Sequence, residues 1–285
     1  RTRSGMPSTI TSTATKRKSP SIPMAVAACR ERASSKSIKL RHPRPKGQPP
    51  RPGCGESSRK WARHMKKSAG IILGIAAVIF VRSNCARFVY RAILGIGGAG
   101  LSPESQMLVA MACDGVVMVA LAWLATGLLN LDRRRVFTLS WPLKTTIAGA
   151  ALGILALLIN RWIVSRYFPL AEASSQPVAV YLHGGGGAAM RFALGFGLIV
   201  FSPLVEELYF RGLIQNGLDA AVPIVGAAAA TYLFVSEHSG SLTSPAMWML
   251  GGTLALIYRY TKSIHAVVVC HGVNNCLAVY LAAAK

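Results

Sequence analysis

The chain has 285 residues, of which 52% are hydrophobic and only 15% charged, and its longest apolar runs match the roughly 20 residues that cross a bilayer. The formal net charge of +22 is concentrated in residues 1–67, which hold eighteen Lys or Arg and two acids. No aromatic residues alternate with these cations in a base-reading pattern, so we predict no nucleic-acid partner. The six cysteines form no CxxC pair, which argues against a zinc ribbon or a disulfide scaffold.

The N-terminal segment differs in composition from the rest of the chain. Residues 1–64 are rich in Ser, Pro, Arg and Lys, and we expect a disordered basic segment there. The Met-Lys-Lys sequence at 65–67 precedes an apolar run and resembles the start of a bacterial inner-membrane protein, in which case the preceding residues are not native. A transit peptide and a cleaved signal are less favoured alternatives, because the Pro-rich stretch 43–52 fits the first poorly and the second lacks a small-residue cleavage site. We therefore expect an integral membrane domain over 65–285, in a bacterial plasma membrane.

Seven apolar segments predict an all-α, polytopic membrane bundle of about seven transmembrane helices. Clusters of Gly, Ser, Pro and charged residues separate the segments. Gly149 and Gly153 form a small-xxx-small step in the third segment, which predicts ordinary close packing against a neighbouring helix. The segments lie near residues 68–81 with an extension toward 97, 107–130, 145–164, 192–213, 221–238, 245–260 and 263–283.

Two acids stand at unusual positions in these segments. Asp114 lies in the middle of the second segment, where it either serves a polar cavity or pairs with an arginine. Glu237 lies near the end of the fifth segment. We interpret it as a solvated helix end, with a role as an alternative base left open.

The first polar motif, at 206–211, places two carboxylates near the middle of an apolar run. Glu207 and Arg211 are four residues apart on one helical face, which predicts an ion pair. Glu206 is rotated roughly 100° from Glu207 and is not neutralised by the same arginine. Glu206 is therefore a candidate general base that takes a proton from water.

The second and third motifs contribute histidines and an asparagine. His238 ends the motif at 234–238, and a lone histidine there is more often a capping residue. A helix starting at residue 221 would place His238 roughly 25 Å along its axis, far from a Glu206 at mid-membrane. His271 and Asn275 are four residues apart on one face of the last helix. Two N–H donors at this spacing suit a developing oxyanion, and the alternative is an interhelical hydrogen bond worth about 0.6 kcal/mol.

The order and spacing of these motifs resemble those of a known family. An EExxxR motif followed by FxxxH and HxxxN in successive helices is similar to the CPBP family, which contains CAAX prenyl proteases and bacteriocin-processing enzymes and is also called the ABI domain. The resemblance covers residues 192–283 and implies an intramembrane endopeptidase of about seven or eight helices. The implied roles are water activation by Glu206 and His238, oxyanion stabilisation by His271 and Asn275, and shaping of the site by Glu207 and Arg211.

The resemblance also implies cofactors and partners. Family members are described both as metalloproteases and as glutamate-based enzymes, and the sequence leaves both open. A divalent metal such as zinc would take Glu206, His238 and His271 as ligands, although the chain has no HExxH helix. The implied partners are a peptide or protein substrate, prenylated or not, and the lipid bilayer. A non-catalytic scaffold or bacteriocin-immunity protein of the same fold is the alternative function. A transporter fits less well, because no internal repeat is visible.

Overall fold

The structure is a computed structural model that describes residues 54–97, 100–137, 142–167, 187–222, 224–238 and 244–283. Met65–Lys285 form one compact unit, and the following description concerns this unit. Residues 1–53 of the predicted disordered segment lie outside the described residues, so their disorder stays a prediction, and residues 54–64 form the first part of a helix. The helices of the described ranges are α1 Cys54–Gly97, α2 Pro103–Leu128, α3 Arg133–Phe137, α4 Leu143–Tyr167, α5 Ala188–Ala221, α6 Val225–Glu237, α7 Pro245–Thr261 and α8 Ile264–Ala283.

Five of these helices are long and apolar enough to cross a membrane, with mean hydropathies between 1.5 and 2.2. They are α1, α2, α4, α5 and α8, and together with the shorter α6 and α7 they make seven helices of substantial length in the described part of the chain. The predicted all-α membrane bundle is confirmed. The chain is an integral membrane protein, because helices of this kind satisfy all their backbone hydrogen bonds within the hydrocarbon region.

Helix α5 departs from the α-helical hydrogen-bonding pattern at two places along its length. π-helical segments at Gly197–Phe201 and Leu208–Gln215 flank a single α-helical stretch, Ser202–Glu207. Pro203 stands in the first turn of that stretch, and its missing N–H leaves one upstream carbonyl without an intrahelical donor. π-helical turns are rare and occur frequently at functional sites. The two carboxylates of the first motif therefore lie on a short regular stretch between two irregular ones.

The hydrophobic core surrounds the second half of α5. Phe210 is buried, and its ring packs edge-on against the buried ring of Phe234 from α6, with 5.6 Å between the ring centroids. Leu254 of α7 and Val267 of α8 belong to the same cluster. The second half of the first motif is thus enclosed by three other helices, and its Glu207 and Arg211 side chains are fully buried, whereas Glu206 is partly buried.

Helices α4 and α8 approach each other through two glycines. A Cβ atom added at Gly149 would lie 2.5 Å from the carbonyl oxygen of Ala266, and one added at Gly153 would lie 2.5 Å from that of Cys270. Real Cβ atoms do not occupy such positions, so these backbones meet only because both residues are glycine. The predicted small-xxx-small packing is confirmed, and it holds the helix of the third motif against α4.

We expect Gly153→Ala to destabilise the protein by about 1–3 kcal/mol, because the added methyl group forces α8 away from α4. Thermal unfolding of the detergent-solubilised protein measures the effect. Gly70→Ala is the matched control, since a Cβ at that position of α1 meets nothing within 4 Å. Equal melting temperatures for the two variants would contradict the close approach of α4 and α8.

Candidate active site

A fully buried ion pair with an attached histidine forms the centre of the site. Glu207 and Arg211 are both 0% exposed, and Arg211 Nε lies 3.1 Å from Glu207 Oε2. Arg211 Nη1 donates to Glu207 Oε1 at 3.3 Å, and His271 Nδ1 lies 2.9 Å from the same oxygen. Arg211 Nη2 donates to the carbonyl of Gly251 at 3.1 Å. The predicted pairing of Glu207 with Arg211 is confirmed, and it links α5, α7 and α8.

Glu206 makes its hydrogen bond to a residue outside this ion pair. Its Oε1 accepts a hydrogen bond from Ser202 Oγ at 3.0 Å. Its Oε2 is buried and has no hydrogen-bond partner among the described residues. A buried oxygen in this state is normally accounted for by a water, an ion or a catalytic role. Glu206 therefore has one oxygen held by the helix and one available to an incoming group.

His238 caps the C-terminus of α6 and packs on the same phenyl ring as His271. Its Nδ1 is 2.7 Å from the carbonyl oxygen of Phe234, and because a carbonyl only accepts, Nδ1 carries the hydrogen and Nε2 holds the lone pair of the neutral ring. The His238 ring centroid lies 4.7 Å from that of Phe234, and the His271 ring packs against the same phenyl group at 5.6 Å. Phe234 thus brings the second and third motifs together.

His271 and Asn275 lie on one face of α8, and both also hold α8 against α5. Asn275 Nδ2 donates to the carbonyl of Leu198 at 3.0 Å, within the first π-helical segment. The amide nitrogen carries a second hydrogen. His271 donates through Nδ1 to Glu207, so its Nε2 donates only from the doubly protonated ring. Both residues make interhelical contacts, and the second amide hydrogen of Asn275 is the donor that remains for a ligand while the His271 ring is neutral.

Helix α6 packs against the site through its last turn, where the Phe234 ring contacts the rings of His238 and His271. It begins at Val225 rather than at residue 221 and has 13 residues, a length of about 20 Å. Glu237 at its end forms an ion pair with Arg82 Nη1, and Arg82 lies within the candidate span Trp61–Ile93 of α1. Glu237 is the last residue of α6 and its side chain is 31% exposed, in agreement with the predicted solvated helix end, but its ion pair with Arg82 was not predicted.

The proposed metal ligands do not form a metal-binding group in this arrangement. In the part of the chain that the structure describes, no three or more His, Cys, Asp or Glu side chains are placed to hold an ion. His271 directs Nδ1 to a carboxylate that already pairs with Arg211, and Glu206 Oε1 is bound by Ser202. The residues as placed do not fit a three-ligand site, and the set Glu206, His238 and His271 stays a prediction.

Sequence reasoning missed several contacts around the motifs. Ser202 precedes Glu206 by four residues, a spacing from which its hydrogen bond was predictable. The pairing of Arg82 with Asp114, at 2.9 Å, was one of two alternatives considered for that acid. The contact of Arg82 with Glu237 joins distant parts of the chain and leaves no local pattern in the sequence.

Comparison with known proteins identifies the segment that carries this geometry. The family described as type II CAAX prenyl endopeptidase Rce1-like matches residues 188–277, about a third of the chain. The matched segment begins at α5 and contains all three motifs. Comparisons with curated proteins and with solved structures gave no match. Residues 188–277 of this integral membrane protein are thus similar to the CAAX-type membrane endopeptidases, which confirms the resemblance to the CPBP family of membrane proteases.

Proposed function

We propose that this protein is an intramembrane endopeptidase that hydrolyses a peptide bond with a water activated by Glu206. The observation that carries the proposal is the buried Oε2 of Glu206, which has no hydrogen-bond partner among the described residues. It belongs to a carboxylate that Ser202 orients and lies one residue from the Glu207 ion pair. A base that is oriented in this way and has a free buried oxygen is suited to taking a proton from one bound water.

The proposed reaction assigns the polar groups to successive steps. Glu206 Oε2 takes a proton from water while the water oxygen bonds to the scissile carbonyl carbon, and Nε2 of His238 assists by accepting a hydrogen bond. Asn275 and protonated His271 donate to the oxygen of the tetrahedral intermediate. The proton on Glu206 then passes to the amide nitrogen as the C–N bond breaks. The products are a carboxylic acid and an amine, and Glu206 returns to its ionised form.

Glu207 and Arg211 support this reaction by holding the His271 ring in place. Their ion pair fixes Glu207 Oε1 at 2.9 Å from His271 Nδ1, which orients the second nitrogen of that ring. The proposal routes no step through a metal, since the donors as placed do not form a three-ligand group. A divalent metal at Glu206, His238 and His271 would supply Lewis-acid activation of water, and a chelator tests for it.

The substrate we propose is a peptide or protein segment within or at the bilayer. The name of the matched family includes a CAAX prenyl endopeptidase, so a prenylated C-terminal peptide is one substrate class to test, beside unprenylated peptides. Location in a bacterial plasma membrane and the lack of a nucleic-acid partner stay predictions. The test is cleavage of a panel of quenched peptides of both kinds by the detergent-purified protein, with and without a chelator. Cleavage supports the protease, and a folded protein inactive on every peptide favours the scaffold or immunity protein.

We expect Asn275→Ala to lower kcat by about 10²–10³-fold, because it removes an oxyanion donor. Asn160→Ala is the matched control. Asn160 Nδ2 also makes an interhelical hydrogen bond, to the carbonyl of Ala246 at 3.1 Å, but it lies outside the site. Steady-state kinetics and melting temperatures are measured for both variants. If the two variants lose equal activity, Asn275 acts only as a helix contact.

A further inference from the structure

We propose that Arg82 of α1 is a positioning residue for the reaction, which holds His238 in the site through Glu237. This inference rests on the proposed function, because it concerns the same site. Arg82 is only 5% exposed and lies in a segment that is long and apolar enough to span a membrane. It stands outside residues 188–277, the segment that matches the protease family. A buried arginine within an apolar helix is strongly disfavoured unless it has charged or polar partners. Two of its neighbours, Glu237 and Tyr209, lie next to residues of the proposed site.

Arg82 makes charged contacts with two helices besides its own. Its Nη2 lies 2.9 Å from Asp114 Oδ2 and 3.2 Å from Asp114 Oδ1 of α2. Its Nη1 pairs with Glu237 Oε1 at the end of α6. The guanidinium carbon also lies 5.3 Å from the ring centroid of Tyr209, three residues after Glu206 on α5. One cation therefore contacts the helix of the proposed base and the helix of His238.

The position of His238 follows the position of the end of α6. The hydrogen bond of its Nδ1 is to the carbonyl of Phe234, within the same helix, so it fixes the ring relative to α6. Helix α6 has 13 residues and no side-chain hydrogen bond at its N-terminal cap. The ion pair of Glu237 with Arg82 attaches the end of this short helix to α1 and α2.

Charge compensation alone does not explain the second acid. Asp114 already places a carboxylate on Arg82 with two hydrogen bonds, and one carboxylate neutralises one guanidinium. Glu237 is an additional acid whose side chain is 31% exposed, and it directly precedes His238. The ion pair with Glu237 thus ties Arg82 to the residue next to His238, which is a proposed catalytic group.

The first test compares variants of the two residues in the full-length protein with a quenched prenylated or unprenylated peptide that the wild type cleaves. We expect Arg82→Gln and Glu237→Gln each to lower kcat by about 10–100-fold, as expected for a reacting group displaced by about 1 Å, with KM unchanged. The double variant should lose no more than Arg82→Gln, because both changes break one connection. Arg82→Lys, which keeps the charge, should recover part of kcat. Additive losses in the double variant would overturn the proposal.

Asp114→Asn separates positioning from stability. It removes a carboxylate from the same guanidinium without changing α6, so we expect a lower melting temperature with a much smaller loss of kcat than in Glu237→Gln. If kcat follows the melting temperature across all these variants, Arg82 is a structural residue only.

A second measurement does not depend on activity. Diethylpyrocarbonate modifies accessible imidazoles, and mass spectrometry measures its rate at each histidine. We expect a several-fold change in the rate at His238 in Arg82→Gln and Glu237→Gln, and an unchanged rate at His265, which is 4% exposed and bound to Thr145. Unchanged rates at His238 overturn the positioning role. A changed rate in a protein that cleaves no peptide supports the positioning of His238 and contradicts the proposed function.

Discussion

Glu206→Gln is expected to lower the rate of peptide hydrolysis by about 10²–10⁴-fold, the contribution typical of a positioned general base. Glutamine has nearly the same shape as glutamate and retains a carbonyl oxygen for the hydrogen bond from Ser202 Oγ, now 3.0 Å from Glu206 Oε1. It cannot take a proton from water, so the geometry is kept and the chemistry is lost. Cleavage of a quenched peptide in detergent or in vesicles measures the effect.

The control for this variant is an acid of the same type outside the site. Glu104→Gln changes a glutamate in the first turn of α2, and we expect its cleavage rate to equal that of the wild type. Melting temperatures of both variants establish that they are folded. A Glu206→Gln protein that is folded and cleaves at the wild-type rate would remove Glu206 from the mechanism.

Glu207→Gln is expected to reduce the free energy of unfolding by about 3–5 kcal/mol, since it leaves the buried guanidinium of Arg211 without its counterion. The partner nitrogens of Arg211 and His271 lie within 3.3 Å of this carboxylate, and both would lose a charged acceptor. Unfolding of the detergent-solubilised protein, by heat or by a denaturing detergent, measures the change.

Asp219→Asn is the matched control for the buried pair. Asp219 lies on the same helix and has two cationic neighbours, but Arg259 and Lys262 are 3.9 and 3.8 Å from it, and the lysine side chain is 56% exposed. The Asp219 side chain is 12% exposed, but both cations are partly exposed and lie near 4 Å, so we expect each pair to contribute only about 0–1 kcal/mol. If Asp219→Asn and Glu207→Gln destabilise the protein equally, the buried ion pair is not the structural centre of the site.

Much of the fold was predictable because it depends on local composition. Each apolar run became a helix, and the ion pair of Glu207 with Arg211 followed from their four-residue spacing on one helix. Gly149 and Gly153 likewise predicted a close helix contact, although the carbonyl oxygens of α8 that they meet are separated from them by three other helices along the chain.

The features that the sequence did not predict depend on contacts between distant helices. In the apolar run after residue 192, π-helical and α-helical turns have similar side chains. Pro203 is the single local sign of an irregular helix. The contact of His271 with Glu207 and that of Glu237 with Arg82 require the arrangement of α1, α5, α6 and α8. The start of α6 was misplaced by four residues, which lengthened the expected distance along this helix to His238.

The most direct test of the central claim, hydrolysis of a peptide bond by water, is cleavage in water enriched in oxygen-18. The purified protein is incubated with the peptide panel, and the masses of the products are measured by mass spectrometry. We predict that the wild type releases a fragment whose new carboxylate contains one heavy oxygen, and that Glu206→Gln releases almost none. A folded wild-type protein that forms no labelled product from any peptide, or a Glu206→Gln variant that forms as much as the wild type, would contradict the account.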